Sequence, residues 1–262
     1  MVLVYKMFKL KDWIISERLT WNQLSANPRA IRMLEENQDK IVWDHLVTNP
    51  EAIHLLEANP LMIDWNYLSC NPSAIHMLEK NMEKVNWEAL STNPAAIPLL
   101  EANPEKIKWE FLSFNPAAVH LIEKNLDKIQ WNYLLTNPSA IHILEAYPEK
   151  IEWDWLSKNP AAIHLLEMNM DKVNWSLLSE NVNAIHLLEK NVDKIDWHRL
   201  SENHGAIDLL EHFQHKIKWG WVSSNPAIFE YDYEGMSQEK SRLHSELFAV
   251  CYHPENFKRI VL

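Results

Sequence analysis

Histidine and glutamate recur at fixed places in this chain, and both side chains can bind metals or transfer protons. Six histidines hold one place in a unit of 22 residues, and a glutamate three residues further on recurs in nine consecutive units, from Glu35 to Glu211. Such rows suggest shared metal sites or paired carboxylates for acid–base catalysis. The six histidines are His54, His76, His120, His142, His164 and His186.

The repetition itself argues against both kinds of chemistry. Packed helices of neighbouring units lie about 8–10 Å apart, whereas two ligands of one zinc ion each lie about 2.1 Å from the metal. A catalytic site needs a unique constellation, and the chain contains no phosphate-binding glycine loop, nucleophile elbow or H-E-x-x-H motif. Cys70 and Cys251 are far apart and lack metal-ligand spacing. The sequence predicts a non-enzyme with no catalytic residues, metal or cofactor, whose histidines form a solvent-facing row.

Tryptophan sets the period of the chain. Ten tryptophans follow one another at an unbroken spacing of 22 residues, which is typical of a solenoid. The chain has only three glycines, so its turns must be made mainly by the recurrent Asn-Pro pair. The ten are Trp21, Trp43, Trp65, Trp87, Trp109, Trp131, Trp153, Trp175, Trp197 and Trp219.

The unit reads W-x-x-L-S-x-N-P-x-A-I-x-L-L-E-x-N-P-x-K-I-x, with the tryptophan taken as position 0. Asn at position 6 is predicted to cap a helix that Pro begins, because a residue before Pro avoids the helical region. That helix should run for about nine residues, as in residues 50–58. A short extended link and a brief helix, from the tryptophan to position 5, should precede it. Neither helix is stable alone, so stacking must stabilise both.

The pattern predicts an all-α fold, an α-solenoid of ten two-helix repeats of 22 residues with N- and C-terminal caps. Residues 1–20 are assigned to an N-terminal cap with a degenerate repeat out of register, residues 21–226 to the solenoid, and residues 227–262 to a helical C-terminal cap. A helix over residues 236–252, followed by a short last segment, should cover the core of the last repeat. An open array of this kind would extend on the order of 90 Å.

Besides the histidine row, the sequence predicts a repeated contact between units that involves the glutamate at position 14 and the lysine at position 19. The lysine recurs in eight of nine units, with Met62 as the exception. Glutamate in the last turn of a helix opposes the helix dipole, so something must compensate it. We expect it to pair with that lysine, or with backbone or indole N–H groups of an adjacent unit.

Position 2 varies from unit to unit and is strongly aromatic in the middle of the chain. Exposed aromatic residues in a row are typical of a binding surface. Alternatively, the superhelix tucks them between units as additional core. The predicted contact surface consists of Tyr67, Phe111, Phe114, Tyr133 and Trp155, joined by the six histidines.

Composition limits the partners. The formal net charge of −11 disfavours nucleic acid, including a one-base-per-repeat arrangement. No apolar run reaches the roughly 18 residues that a membrane span needs. The first residues, MVLVYKMFKLKDW, lack the features of a secretory signal. The sequence therefore predicts a soluble, non-secreted protein that binds a protein partner and not a membrane, and it leaves self-association open.

The chain resembles a family of tandem short-repeat proteins of giant nucleocytoplasmic DNA viruses. The resemblance covers nearly the whole chain and rests on the lead-in Asp12-Trp13-Ile14, the recurrent W-x-x-L-S-x-N-P-x-A-I-x-L-L-E-x-N unit and the ending from Asn225 to Glu234. It carries over no catalytic residues. It implies a viral origin and a protein-interaction scaffold or adaptor in the host cytoplasm or the virion. The alternative is a structural virion component that packs against capsid or internal proteins.

Overall fold

The structure, a computed structural model, describes the backbone of residues 7–251 and the side chains of residues 7–246. The fold is the expected all-α solenoid, with one small two-stranded sheet. Two compact units divide the chain. One contains residues 15–228, and the other joins the two ends of the chain, up to Ile14 and from Phe229 onward. The predicted boundaries at residues 20 and 226 are therefore displaced by a few residues.

Each unit begins with a short α-helix at its tryptophan, as predicted. The residue before the tryptophan is extended, and in several units its side chain caps the helix, as when Asp64 accepts the N–H of Asn66. These first helices are Trp21–Ala26, Trp43–Leu46, Trp65–Leu68, Trp87–Thr92, Trp109–Leu112, Trp131–Leu134, Trp153–Leu156, Trp175–Leu178, Trp197–Glu202 and Trp219–Val222.

The Asn-Pro pair turns the chain toward a second helix. The side chain of Asn115 accepts the N–H of Ala117 at 3.0 Å, so the predicted cap is present. The helix is four to six residues long rather than nine, because the residues after the asparagine form a turn, often 3-10, before it starts. The second helices are Ile31–Glu36, Ile53–Ala58, Ile75–Glu79, Ile97–Glu101, Val119–Ile122, Ile141–Ala146, Ile163–Glu167, Ile185–Glu189 and Ile207–His212. The 3-10 turns before them are Pro72–Ala74, Pro94–Ala96, Pro116–Ala118, Pro138–Ala140 and His204–Ala206, and Pro226–Ile228 is their counterpart in the last unit.

A third segment, absent from the predicted two-helix unit, follows the second helix. The amide of Asn125 donates to the carbonyl oxygen of Leu121 and so provides a partner for one carbonyl group in the last turn of the second helix. A 3-10 turn then leads in most units to the extended residues before the next tryptophan. These turns are Gln38–Lys40, Pro60–Met62, Met82–Lys84, Pro104–Lys106, Pro148–Lys150, Met170–Lys172, Val192–Lys194 and Gln214–Lys216.

The core is built from the same positions in successive units. In the unit of Trp87, Leu90, Ala96 and Leu100 are fully buried. The alanine at position 9 leaves room for the neighbouring unit, and burial of a leucine contributes roughly 1.5–3 kcal/mol. The repeated core therefore packs within each unit and against its neighbours.

A buried asparagine ladder joins neighbouring units. The amide of Asn115 donates to the carbonyl oxygens of Ser91 at 3.0 Å and Asn93 at 2.9 Å, both in the preceding unit. The asparagine at position 6 makes two such bonds in every unit, at 2.8–3.2 Å. Position 6 thus caps a helix within its unit and fixes the register between units.

The ladder closes on itself. Asn27, in the first unit, donates to the carbonyl oxygens of Ser223 at 3.0 Å and Asn225 at 3.2 Å, in the tenth. Thr20 donates its N–H to the hydroxyl of Ser223, as residues before later tryptophans do to the preceding serine. Residues 15–228 therefore form a closed ring of ten repeats, and the expectation of an open 90 Å array is wrong. Since the first unit covers the last, neither needs the predicted cap.

Residues 16–20 complete the tenth unit from the other end of the sequence. The 3-10 turn Ser16–Arg18 lies where Gln38–Lys40 and its equivalents lie in other units. Leu19 is buried at the place of Ile41. This segment is in the 22-residue register, so its assignment to an out-of-register cap is corrected.

The second compact unit brings the segment before the repeats together with the segment after them. Strand β1, Phe8–Leu10, pairs antiparallel with strand β2, Phe229–Tyr231. The ring of Phe8 stacks on that of Tyr231 with centroids 4.9 Å apart. A helix, Tyr233–Cys251, follows β2. It begins a few residues before the predicted start, and its predicted end at residue 252 and the segment 255–262 lie outside the described residues.

Candidate interaction surface

The side chains at positions 2 and 5 of each unit, in the first helix and at or just beyond its end, form a band of variable residues, which we call the variable band. Part of the predicted aromatic surface lies in it as one cluster. Phe114 stacks on Tyr133 of the next unit with ring centroids 4.2 Å apart, and Phe111 lies 6.4 Å from Tyr133. All three are half-buried. These aromatics thus contact one another between units and still present one edge to solvent.

Tyr67 and Trp155 lie at the same position in other units and are more exposed. Their exposed fractions are 54% and 40%. Ala89 occupies position 2 of the unit between Tyr67 and the aromatic cluster, so the row is interrupted. The two alternatives, an exposed row and additional core between units, therefore each hold for part of the row. Tyr67 and Trp155 are exposed, whereas Tyr133 lies partly between units.

The variable band becomes charged after Trp155. Glu180 forms ion pairs with Lys158 of the preceding unit and Arg199 of the following unit. Burial, and then the nearby Arg199 guanidinium, lower the pKa of Lys158. Beyond this cluster Trp221, which is not part of the predicted surface, is 47% exposed. Its position 2 in the last unit was the signal that could have included it.

The six histidines form a half-exposed row, each paired with a glutamate of the preceding unit. The Nε2 atom of His142 lies 2.8 Å from Oε1 of Glu123. All six pairs join position 11 to position 14 at 2.8–3.0 Å. The glutamates do contact the adjacent unit, but histidine takes the place that was predicted for lysine.

The lysines at position 19 lie instead over the tryptophan of their own unit. In the unit of Trp109, Nζ of Lys128 is 4.8 Å from the ring centroid and donates to the side chain of Asn125. Seven units share this contact, at 4.3–5.7 Å. The lysine alkyl chain and ammonium thus shield an indole face, which explains its recurrence without a carboxylate partner.

The described residues include one cysteine thiol, that of Cys70. Burial raises the pKa of the Cys70 thiol, which disfavours the reactive thiolate. Within residues 7–246, no group of three or more His, Cys, Asp or Glu side chains is placed to hold a metal ion. No helix in that part of the chain is long and apolar enough to cross a membrane.

Comparison of the chain with models of known protein families, with curated proteins and with solved structures finds no match. The relevant contrast lies between the ladder, whose residues repeat, and the variable band, whose residues do not.

Proposed function

We propose that this chain is a non-catalytic protein-interaction scaffold or adaptor of a large DNA virus, which binds a protein partner through the variable band. The observation that carries the proposal is the contrast within each unit. Positions 3, 6, 9 and 13 are buried and nearly constant, whereas positions 2 and 5 change from unit to unit and reach the surface. In repeat proteins, variable positions on a rigid frame are where partner specificity resides.

The exposed aromatics suit this role. Tyr67 and Trp155 are 54% and 40% exposed, and such residues supply large contact areas at binding hot spots. The Asn ladder holds the helices that carry them in a fixed register, which lowers the ordering cost of binding. The half-exposed histidine row belongs to the proposed surface as a polar margin, because interfaces combine an apolar centre with a polar rim.

The viral assignment rests on the resemblance of the repeated unit to tandem repeats of giant DNA viruses. The host cytoplasm and the virion are the locations that this resemblance implies. The same resemblance supports a structural virion component as the second candidate. The two differ in where the protein is found and in what amount.

The test is affinity purification of the tagged protein from its native cell, followed by mass spectrometry. Wild type is compared with Tyr67→Ala/Trp155→Ala, in which both replaced side chains are exposed and the core is left intact. Met168→Ala is the matched control, because Met168 is 71% exposed and follows the second helix of its unit, outside the variable band. We expect the double variant to lose the partner and the control to keep it.

A partner retained by the double variant, or lost equally from the control, would contradict the placement of the surface. Stoichiometric recovery with purified particles, and no partner in the lysate, would favour the structural virion component. Circular dichroism of each variant verifies that helicity is unchanged.

A further inference from the structure

Trp43 differs from the other repeat tryptophans in what covers its ring. Seven are covered by a lysine of their own unit, and Trp219 by Arg18 at 5.4 Å. Trp197 contacts the ring of Phe213 instead, with centroids 5.4 Å apart. Among the residues that the structure describes, neither a cation nor an aromatic ring lies over Trp43. The cause is Met62, which stands where the covering lysine would be.

An open cavity of about 620 Å³ lies beside this ring. Trp43, Leu61 and Met62 supply its apolar wall. Leu61 is 98% exposed and Met62 50%. Seven of the eight other units have Asp or Glu at the position of Leu61, so the surface is apolar here where the others are charged. Because Leu61 and Met62 adjoin the indole of Trp43, they form one contiguous apolar patch, and such patches mark contact surfaces.

The cavity also presents negative charge. Asp44 and Asp64 line it together with Lys84. The lysine is already engaged, because its Nζ lies 4.6 Å from the ring centroid of Trp65. Asp64 accepts one backbone N–H, from Asn66 at 2.8 Å. Across residues 7–246, neither aspartate takes part in an ion pair, so the cavity combines an indole that is not covered by a cation with two carboxylates outside any ion pair.

We propose that this cavity binds a lysine or arginine side chain of a partner protein, flanked by an apolar residue that packs on Leu61. The partner supplies the cation that seven other units take from their own chain. Arginine suits the site best, since a guanidinium can stack on an indole and donate to carboxylates at once. The site involves none of the residues of the variable band, so it goes beyond the proposed function and does not depend on it.

The test uses ¹⁹F NMR of the full-length protein labelled with 5-fluorotryptophan. The probe is the peptide N-acetyl-Leu-Arg-Leu-amide, and the same peptide with Gln or Glu in place of Arg serves for comparison. Of the 13 tryptophan signals, the one that disappears in Trp43→Phe is that of Trp43. We expect the arginine peptide to shift this signal saturably, with an affinity about tenfold or more above that of the glutamine peptide, and the glutamate peptide to bind more weakly still.

Two matched variants test whether the residues at positions 18 and 19 decide which unit binds the peptide. Met62→Lys restores the residue that covers seven other tryptophans, so it should fold and should abolish the peptide-induced shift. Asp127→Leu/Lys128→Met copies the sequence of the exceptional unit into the unit of Trp109. We expect it to create a second saturable site, reported by the Trp109 signal.

Three results would overturn the proposal. The first is equal affinity for the arginine and glutamine peptides, which would leave only a non-specific apolar surface. The second is unchanged binding by Met62→Lys when its spectrum shows a folded protein. The third is the absence of a saturable shift of the Trp43 signal. None of these depends on whether a partner binds the variable band.

Discussion

The guanidinium of Arg18 lies over the indole ring of Trp219, 5.4 Å from its centroid. In seven other units, the lysine that takes this position follows its tryptophan by 19 residues in the same stretch of chain. Here the cation precedes the first repeat and the tryptophan begins the last one. Arg18 therefore completes the tenth repeat from the opposite end of the sequence, and this contact belongs to the closure of the ring.

Closure predicts that the first asparagine of the ladder is as important as one in the middle. We expect Asn27→Ala and Asn115→Ala each to lower the free energy of unfolding by roughly 2–4 kcal/mol, since each removes a helix cap and two buried hydrogen bonds to the neighbouring unit. Urea denaturation of both variants measures the loss. In an open array Asn27 would act only as a cap, so a loss of about 1 kcal/mol or less at Asn27 beside a full loss at Asn115 would contradict the ring.

The variant Asn115→Asp separates the two roles of position 6, which are the helix cap within the unit and the hydrogen bonds to the preceding unit. The carboxylate can still accept the N–H of Ala117, but it cannot donate to the carbonyl oxygens of Ser91 and Asn93. Because it would place a charge against two buried carbonyl oxygens, we expect it to destabilise at neutral pH at least as much as Asn115→Ala.

The penalty of Asn115→Asp should depend on pH in a definite direction. Burial beside carbonyl oxygens raises the folded-state pKa of the introduced carboxyl above its unfolded value. The penalty is then smallest below about pH 4 and grows as the pH rises through the folded pKa. Urea titrations of this variant and of Asn115→Ala at pH 3.5 and pH 7 measure it, and a constant difference between them would argue against burial of the new charge.

The carboxyl group of Asp196 should have the opposite effect in the wild-type protein, because its contribution to stability is lost at low pH. Burial alone would raise the pKa of its carboxyl. However, hydrogen bonds from the Ser176 hydroxyl and from the N–H groups of Arg199 and His198 outweigh burial and hold the pKa below its ordinary value. A depressed folded-state pKa contributes stability above the unfolded pKa, and this contribution is lost as the pH falls through the folded value.

The matching variant is Asp196→Asn, which keeps an acceptor oxygen and removes the charge. We expect it to be less stable than wild type by about 1 kcal/mol at pH 7, with the difference shrinking below about pH 4. Urea midpoints at several pH values measure this effect. If the difference in stability did not change with pH, it would come from the altered side chain itself and not from the ionisation of Asp196.

The histidine–glutamate pairs should contribute little each. Glu123 and His142 are about half exposed, and exposed pairs are worth about 0.2–1 kcal/mol. A double-mutant cycle with Glu123→Gln and His142→Ala isolates their coupling energy. We expect a favourable value within that range, and a coupling indistinguishable from zero would remove these pairs from the contacts that stabilise the stacking of units.

Much of the repeated unit follows from local chemistry. The first helix at each tryptophan and the cap at Asn115 were predicted from the pattern and are present. The second helix is shorter than predicted because the residues after the asparagine form a turn, a preference that helical periodicity does not report. The partner of Lys128 was also predicted wrongly, since attraction to an indole face carries no signature as plain as opposite charge.

The closure could not be predicted from the period. A spacing of 22 residues says which side chains meet the next unit, but not the angle between successive units. A small change in that angle separates an open superhelix from a ring. Arg18 and Leu19 do occupy the lysine and isoleucine positions of the repeat, which was the available signal. On the variable band, exposure at Tyr67 and partial burial at Tyr133 likewise depend on the neighbouring unit.

An open array of repeats can lengthen during evolution, because unequal recombination adds a copy and its end unit simply moves outward. The bonds from Asn27 to Ser223 and Asn225 remove that freedom. An eleventh copy would have to reset the angle at every junction at once, or break the junction where the chain meets itself. Duplication of a single repeat should therefore be selected against. Single substitutions on the variable band leave the ring intact, so its residues remain free to diversify.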